Sequence, residues 1–167
     1  MRFPVILGAA AALFFSSPAV AAPSYSPSAA EGCGCPSPHT TDKSIREIFT
    51  AFVEEFYFQR DFAGAGNKYM APNLIQHNPQ IANGRDAEVA AVTSLLPKYD
   101  GPNFEILLVD EERGYGVVFN RFAGKPGTGI PLTVAVDIYR FDGSCMVEHW
   151  DAIEALPANS TNPDPFR

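Results

Sequence analysis

The chain has 167 residues, a formal net charge of −7 and 46% hydrophobic residues. The hydrophobic content excludes a disordered chain, and the length predicts one domain with room for tails. The acidic residues are scattered, and no run of Lys and Arg exists that would match a phosphate backbone. Nucleic acid is therefore not expected as a partner.

The first 22 residues have the pattern of a cleavable signal peptide. Arg2 supplies a positive start, the segment Val5–Phe15 is apolar except for Gly8, and Ala19–Ala22 offers an A-x-A cleavage site. The apolar run, of about eleven residues, is shorter than the roughly twenty that span a bilayer. We therefore expect a secreted protein that has no membrane partner after signal cleavage.

Two Ser- and Pro-rich segments flank a predicted domain at residues 44–156. Residues 23–43 and residues 157–167 lack apolar periodicity, and each predicts a flexible tail. The second tail contains Asn159, Ser160 and Thr161, which together form an acceptor sequence for N-glycosylation. Asn159 is therefore a glycosylation candidate in a host that glycosylates its exported proteins.

The three cysteines predict one disulfide and one remaining thiol. Cys33 and Cys35 are too close in sequence to bridge each other without strain. A bridge from one of them to Cys145 would join the N-terminal tail to the last predicted hairpin. No second cysteine or histidine pair has the spacing of a zinc site, so no metal is expected.

Helices predominate in the first part of the domain. The segment Ser44–Glu47 has the pattern of a capping box, and apolar residues at helical spacing behind it predict one helix over residues 44–59. Weaker patterns predict helices over Phe62–Met70 and Arg85–Leu95. A short strand is predicted between them, over Leu74–His77, where Asn78 and Pro79 stop it.

Four long apolar and aromatic segments follow the helices. They are Phe104–Asp110, Tyr115–Phe122, Ile130–Phe141 and Met146–Leu156, and the last two are separated by the turn sequence Asp142-Gly143. Helices followed by consecutive strands predict an α+β domain whose helices cover one face of a mostly antiparallel sheet. A sheet curved strongly around the first helix leaves room for an apolar pocket.

Two passages of the domain carry a family resemblance. The first is Leu74–Pro79 (LIQHNP), with Asn83–Arg85 (NGR) shortly after it. The second is Val136–Gly143 (VDIYRFDG), which leads to Val147–Asp151 (VEHWD). In order and spacing these passages resemble the signatures of SnoaL-like proteins, which belong to the wider nuclear-transport-factor-two-like superfamily. The resemblance implies a cone-shaped, curved mixed sheet wrapped around a long N-terminal helix, with one apolar pocket.

The resemblance also implies a range of functions. Relatives include polyketide cyclases, dehydratases, ketosteroid isomerases, epoxide hydrolases and non-catalytic binding modules, and they are often dimers. We therefore expect a cofactor-free lyase, isomerase or cyclase that acts on a small hydrophobic carbonyl compound, with a homodimer as an expected assembly. The alternative is a non-catalytic extracellular module that binds a small ligand or dimerises through its sheet.

Asp137 is the first candidate for catalysis. Strand alternation places it on one face with Ala135 and Tyr139, and a carboxylate among apolar residues is costly unless it is paired or protonated. Desolvation also strengthens a carboxylate as a general base. In the polyketide cyclases that this chain resembles, an aspartate at the corresponding position abstracts the α-proton. The alternative interpretation is that Asp137 pairs with Arg121 or Arg140 in a neighbouring strand.

One departure from the cyclase pattern bears on that assignment. In the cyclases a histidine often lies two residues before the aspartate, and here that position is Ala135. This departure counts against the cyclase reaction among the activities that the resemblance implies. The two histidines of the domain, His77 and His149, are the further catalytic candidates.

His77 and its neighbour Asn78 stand at the end of the predicted short strand. There His77 would polarise a substrate carbonyl or hold an oxyanion, or alternatively bond backbone groups to fix the turn. His149 and Asp151 share one face of the last strand, where they would act as acid and base or bond across strands. Trp150, on the other face, would line an aromatic pocket or simply belong to the core. Tyr139 and Asn78 complete the predicted binding residues, with Trp150 and Asp151.

Overall fold

A computed structural model describes residues 44–101 and 103–166, apart from the side chains of residues 103–106. The predicted signal peptide and the predicted N-terminal tail, with Cys33 and Cys35, lie outside the described residues. None of the helices in the described part has the length and apolar character needed to cross a membrane.

Three helices precede most of the sheet. Helix α1 covers Ile45–Val53 and continues into a π-helical turn at Glu54–Phe58. Helix α2 covers Phe62–Tyr69. Helix α3 covers Arg85–Leu95, as the sequence predicts, and a 3-10 turn over Leu96–Lys98 follows it.

The start of α1 confirms the predicted capping box. The Ser44 hydroxyl accepts a hydrogen bond from the backbone N–H of Glu47, and the Glu47 side chain accepts one from the backbone N–H of Ser44. This reciprocal pair satisfies two N–H groups that an uncapped helix would leave without a partner.

The prediction of one uniform helix over residues 44–59 is wrong in its second half. The backbone N–H of Gln59 bonds to the carbonyl of Glu54, 3.0 Å away, which widens the turn by one residue. Phe56 and Tyr57 are both buried against the sheet by this turn. Apolar spacing cannot distinguish the two kinds of turn, because both leave a continuous apolar stripe. Arg60 then adopts a left-handed φ of 59° and ends the helical path.

Five strands form one mixed sheet in the spatial order β1-β5-β4-β3-β2. Their bounds are β1 Met70–Gln76, β2 Asn103–Asp110, β3 Tyr115–Phe122, β4 Thr133–Asp142 and β5 Cys145–Ala155. Strand β1 runs parallel to β5, and the other neighbours are antiparallel. The sheet curls around the helices without closing, which confirms the predicted α+β fold with a curved mixed sheet.

Two strands differ in extent from their predictions. Strand β1 begins at Met70 instead of Leu74, and its pairing with β5 is irregular between Met70 and Ile75. Pro72 lies in this irregular part, where a residue without an N–H is tolerated. A proline also argues against a strand in a sequence pattern, so the first part of β1 was not predicted. Strand β4 begins at Thr133 instead of Ile130, because Pro131 cannot donate to the ladder.

The hydrophobic core lies between α1 and the concave inner face of the sheet. Phe49, Phe52 and Phe56 are fully buried, and the rings of Phe52 and Phe56 have centroids 4.8 Å apart. A Cβ atom added at Gly116 in β3 would lie 2.6 Å from Cδ1 of Phe49. The helix therefore approaches the sheet so closely that only glycine fits at this position.

The final hairpin joins β4 to β5 at the predicted turn. Gly143 has a left-handed φ of 59°, which glycine adopts without strain. Cys145, directly after the turn, is buried and disulfide-bonded. The cysteine at the other end of this bridge lies outside the described residues.

Candidate active site

Three neighbouring strands bring polar side chains to the inner face of the sheet. In β4, Asp137 and Tyr139 point inward, and in β5 His149 and Asp151 do so, because alternate residues of a strand share a face. The parallel pairing of β1 places Gln76 beside His149. The alternation predicted for β4 and β5 is confirmed, and it gathers these residues below α1 and α3.

Asp137 is buried, with 7% of its surface exposed, and its two carboxylate oxygens have different partners. The side-chain amide of Asn120 donates to Oδ2 over 2.5 Å, whereas Oδ1 lies 3.4 Å from Nε2 of His149. Among the described residues no arginine contacts Asp137. Arg140 hydrogen-bonds to Glu148 on the opposite face, so the predicted alternative of an Asp137–arginine pair is wrong for Arg140.

The direction of Asn120 shows that Arg121, the other predicted arginine, is not the partner of Asp137 either. Inward-facing residues alternate along β3, and Asn120 is fully buried, so the next residue, Arg121, points to the outer face. The Oδ1 atom of Asn120 is buried without a hydrogen-bond partner. The amide of Asn120 therefore faces Asp137 with its nitrogen end, which can only donate.

His149 is almost fully buried and is contacted through both ring nitrogens. Nδ1 lies 2.9 Å from Nε2 of Gln76 and 3.7 Å from a carboxylate oxygen of Glu88, and the ring stacks on Tyr139 at 4.5 Å. Burial alone would lower the pKa of His149. The hydrogen bond to Asp137 and the negative charges of Glu88, Asp137 and Asp151 outweigh burial, so the pKa is raised.

Glu88 reaches the cluster from α3 and is only 2% exposed. Burial raises the pKa of Glu88, and the nearby charges of Asp137 and Asp151 raise it further. His149 and the hydrogen bond from Gln76 act in the opposite direction without reversing the shift. A buried carboxyl group of this kind takes up a proton more readily than an exposed glutamate does.

Two tyrosine hydroxyl groups lie next to the cluster. The hydroxyl oxygens of Tyr57 and Tyr139 are 2.8 Å apart and buried. Burial and the charge of Asp137 raise both tyrosine pKa values well above the ordinary value, so both hydroxyl groups keep their protons. Tyr57 lines the cavity described below, and its position there depends on the π-helical turn.

Asn78 and Asp151 form the outer part of the cluster. The Asn78 side chain donates to Oδ2 of Asp151 over 2.6 Å. One ligand atom each from Asp137, His149 and Asp151 lie within 4.8 Å of one another, a spacing at which a cation could be held. These atoms are already engaged by Asn120, Asn78 and one another, and we interpret the group as an acid–base cluster.

A cavity of about 90 Å³ opens beside this cluster. The polar side chains that line it are Asp137, His149, Asp151, Glu88, Tyr57 and Asn78. Its remaining walls are mostly apolar and come largely from α3, the turn after it and the inner face of the sheet: Ile81, Ala91, Val92, Leu95, Leu96, Phe122, Ala135 and Ile153. The cavity therefore combines an apolar mouth with an acidic, hydrogen-bonding end.

A larger concavity, of about 650 Å³, lies mainly on the opposite, outer face of the sheet. Val136 and Phe119 line it with Phe166 of the C-terminal segment, and Glu154 is the only ionisable residue among its described lining residues. It is broad and open to solvent. Its size does not make it the site of chemistry, because it lacks the clustered acid and base groups of the inner cavity.

The structure does not bring His77 and Trp150 to the inner cavity. Their rings stack on each other, with centroids 4.4 Å apart and planes 2° apart, and Nε2 of His77 lies 3.2 Å from Glu148. Gln76 precedes His77, and His149 precedes Trp150. Because Gln76 and His149 point inward, the residues that follow them lie on the outer face. The placement is at odds with a catalytic role for His77 and a pocket role for Trp150.

The other predicted residues, Asp137, His149, Asn78, Tyr139 and Asp151, do lie together. Tyr139 supports the cavity from behind His149, and the remaining four line it. Sequence reasoning missed four members of the cluster: Tyr57, Gln76, Glu88 and Asn120. Asn120 could have been predicted, since it is a polar residue at an inward position of an otherwise apolar strand. The sequence around Glu88 shows only its helical spacing from Val92, which does not indicate a site residue.

No family model and no curated protein matches the chain. Solved structures do match it. TsrD from Streptomyces laurentii aligns with 66% of this chain and 87% of its own, at 19% identity and a TM-score of 0.51. A steroid delta-isomerase from Pseudomonas aeruginosa aligns with 67% of this chain and 80% of its own, at 12% identity and a TM-score of 0.55.

A SnoaL-like polyketide cyclase from Agrobacterium tumefaciens is also similar. It aligns with 67% of this chain and 92% of its own, at 14% identity and a TM-score of 0.51. The described domain therefore has a SnoaL-like fold, as the sequence passages predicted.

Proposed function

We propose that the protein is an enzyme that abstracts a proton next to the carbonyl group of a small hydrophobic compound, with Asp137 as the general base. The observation that supports this most directly is a buried carboxylate that faces a cavity and is held by an amide and an imidazole group instead of an arginine. Lyase, isomerase and cyclase reactions all begin with this step, and it requires an acid and a base from the protein.

The two oxygens of Asp137 suggest which atom takes the proton. The short bond from Asn120 occupies Oδ2, whereas the 3.4 Å contact to His149 leaves Oδ1 only loosely held. A substrate C–H group in the cavity would approach Oδ1. The Asn120 bond fixes the orientation of the carboxylate, which reduces the entropic cost of reaching a reactive geometry.

The enolate that forms would need hydrogen-bond donors. Tyr57 lines the cavity and keeps its proton, because burial raises its pKa. Its hydroxyl group is thus the best-placed donor to a developing oxyanion, with the N–H group of His149 as a second. His77, which the sequence suggested for this role, has no part in the proposal.

The cavity also suggests the kind of substrate. Its volume of about 90 Å³ is far below the ~300–1,000 Å³ of sites for drug-sized ligands. No lysine or arginine is found among the described residues that line it, and three carboxyl groups are. An anionic substrate would be repelled, so we propose a small, neutral carbonyl compound.

Exchange of α-protons tests this proposal without knowledge of the natural substrate. Acetone, butanone and cyclopentanone would be incubated with the protein in D₂O, with binding followed by protein NMR and deuterium uptake by ketone NMR. We expect faster exchange for a ketone that shifts resonances of the cavity residues. A ketone that binds in the cavity and exchanges no faster than with Asp137→Asn would contradict the proposal, as would failure of all three to bind.

A non-catalytic binding module is the second candidate, and the mostly apolar walls of the cavity favour it. Both functions predict binding of a small neutral compound. They differ in the role of Asp137, because a binding protein does not need this carboxylate to accept a proton from its ligand. Ligand binding that survives in Asp137→Asn, with no exchange by either protein, would support this candidate.

We also propose that the protein acts outside the cell, after cleavage near Ala22. The support is the sequence pattern of the first 22 residues. N-terminal sequencing of protein recovered from the culture medium should find Pro23 or a residue near it. Secreted protein that still begins at Met1 would contradict the proposal.

A further inference from the structure

The side-chain amide of Gln76 is buried, and its orientation is fixed by the backbone N–H of Asn78, which can only donate. The backbone N–H of Asn78 points at Oε1 of Gln76 over 2.8 Å, and a backbone N–H is always a donor. On the other side, Nε2 of Gln76 lies 2.5 Å from the Glu88 carboxyl group. Exchanging the oxygen and nitrogen of this amide would break the Asn78 contact.

This orientation determines what Nδ1 of His149 can be. The NH₂ group of Gln76 has two hydrogens, and its two neighbours are Glu88 at 2.5 Å and Nδ1 of His149 at 2.9 Å. An amide NH₂ group only donates, so Nδ1 must accept. The proton of the imidazole ring then stands on Nε2, which faces Oδ1 of Asp137.

We propose that Gln76 is a positioning residue that keeps Nδ1 of His149 unprotonated, so that Asp137 faces a neutral N–H donor and not an imidazolium. This proposal rests on the proposed function, in which Asp137 is the base. A positively charged His149 would form an ion pair with Asp137 and stabilise the carboxylate, which would make Asp137 a weaker base. Gln76 touches no substrate in this scheme and acts through His149.

The surroundings of His149 make such a device necessary. Carboxyl groups face the ring from α3, β4 and β5, namely Glu88, Asp137 and Asp151, and all of them favour a charged imidazole. The nearby tyrosines, Tyr57 and Tyr139, keep their protons and offer no charge to oppose this. The amide of Gln76 opposes it directly, because a proton on Nδ1 would meet another N–H group.

Nitrogen-15 NMR of the histidine side chains tests the proposal. In wild-type protein at pH 8 we expect Nε2 of His149 to resonate as a protonated nitrogen and Nδ1 as an unprotonated one. Gln76→Met keeps the length of the side chain and removes the amide. A purely structural role predicts a lower or unchanged titration midpoint for His149, because an apolar neighbour disfavours charge. Our proposal predicts a higher midpoint, because Nδ1 is then free to take a proton near Glu88.

Gln76→Glu is the second variant. One of its carboxyl oxygens can still accept from Asn78, and the other, next to Glu88, shares a proton with the Glu88 carboxyl group. This variant replaces the donor at Nδ1 by an acceptor, and His149 should then carry protons on both nitrogens at pH 8. His77, on the outer face, provides the control in the same spectra, and its titration should not change in either variant.

Three results would overturn the proposal: a protonated Nδ1 in the wild type, a His149 midpoint that does not rise in Gln76→Met, or an unprotonated Nδ1 in Gln76→Glu. None of these measurements uses a substrate, so they can fail while the ketone exchange succeeds, and the reverse. If both proposals hold, each variant should also lose exchange activity while it retains ketone binding.

Discussion

The two faces of the central strands carry the same kinds of side chain in different surroundings. On the inner face, His149 lies among Asp137, Asp151 and Glu88, buried from solvent. On the outer face, His77 lies beside Glu148, which also binds Arg140. Apart from Glu88, which comes from α3, both groups are built from adjacent residues of β4 and β5 and the end of β1.

The difference lies in how negative charge is balanced. The outer carboxylate of Glu148 has an arginine and a histidine as partners, and His77 remains 37% exposed to water. The described residues lining the inner cavity include no lysine or arginine, and the inner carboxyl groups are held by amides and an imidazole. The outer Arg140–Glu148 pair is mostly buried, with 15% and 12% of the two side chains exposed, so each charge has a partner of opposite sign. The inner carboxyl groups have no such cation among the described lining residues.

The largest expected effect is on catalysis, from removal of the inner carboxylate. Asp137→Asn is nearly isosteric and should keep the fold, but it removes the base, so ketone exchange should fall by about 10²–10⁴-fold. The matched change on the outer face, Glu148→Gln, should leave the exchange rate nearly unchanged. Equal losses in the two variants would mean that the inner face is not the catalytic one.

The second effect is on stability and concerns the apolar layer above the inner face. Phe52 is fully buried in α1, so Phe52→Ala should lower the free energy of unfolding by about 3–5 kcal/mol. Phe58 lies at the end of the same helical path but is 49% exposed, and Phe58→Ala should cost much less. Urea denaturation of both variants gives the comparison, and a loss below about 1 kcal/mol for Phe52→Ala would show that α1 does not cover the core.

A smaller effect should appear in the pH dependence of stability. The pKa of Glu88 is raised above its ordinary value of 4.5, so the folded state binds this proton more tightly than the unfolded state does. Its contribution to stability is therefore present at low pH and is lost as pH rises from 4.5 through the raised folded value. The pKa of His149 is also raised, so its contribution falls in the same direction as pH rises from its ordinary value of 6.5.

Glu88→Gln should remove the part of this slope that comes from Glu88. Relative to wild type, the variant should gain stability as pH increases above 4.5, because it has no charge to bury. Glu154→Gln, on the exposed outer face, should keep the wild-type slope. Parallel stability curves for wild type and Glu88→Gln would show that Glu88 does not titrate differently in the folded protein.

The smallest expected effect belongs to the outer histidine. His77→Ala removes a partly exposed contact with Glu148 and one ring from a stack, and should change the free energy of unfolding by about 1 kcal/mol or less. Trp150, the single tryptophan of the chain, reports on the same change. Its emission should shift to longer wavelength as water replaces the His77 ring. A loss as large as that of Phe52→Ala would show that the outer cluster is structurally essential.

The sequence predicted which residues of a single strand share a face. Alternation placed Asp137 with Tyr139 and His149 with Asp151, and the structure agrees. The position of His77 on the outer face could not be predicted, because the face on which a residue lies depends on how its strand pairs with its neighbour. The parallel pairing of β1 with β5 is not visible in either segment alone.

Glu88 and Tyr57 could not be predicted from the sequence for similar physical reasons. Glu88 joins the cluster only because α3 packs across the open end of the sheet, and helical spacing does not show which acid is buried there. The π-helical turn that positions Tyr57 leaves the apolar stripe unchanged, so periodicity predicts an ordinary helix. Tertiary packing decides both features.

The pairing of β1 with β5 also affects how the protein folds. It joins Gln76 to His149, which are 73 residues apart in the chain. Contacts of such long sequence separation form late, because closing the intervening loop costs entropy before the contact is made. The acidic cluster therefore cannot assemble in an emerging chain that lacks β5. Its carboxyl groups keep more of their contact with water in such a chain than in the folded domain, where Glu88 is 2% and Asp137 is 7% exposed.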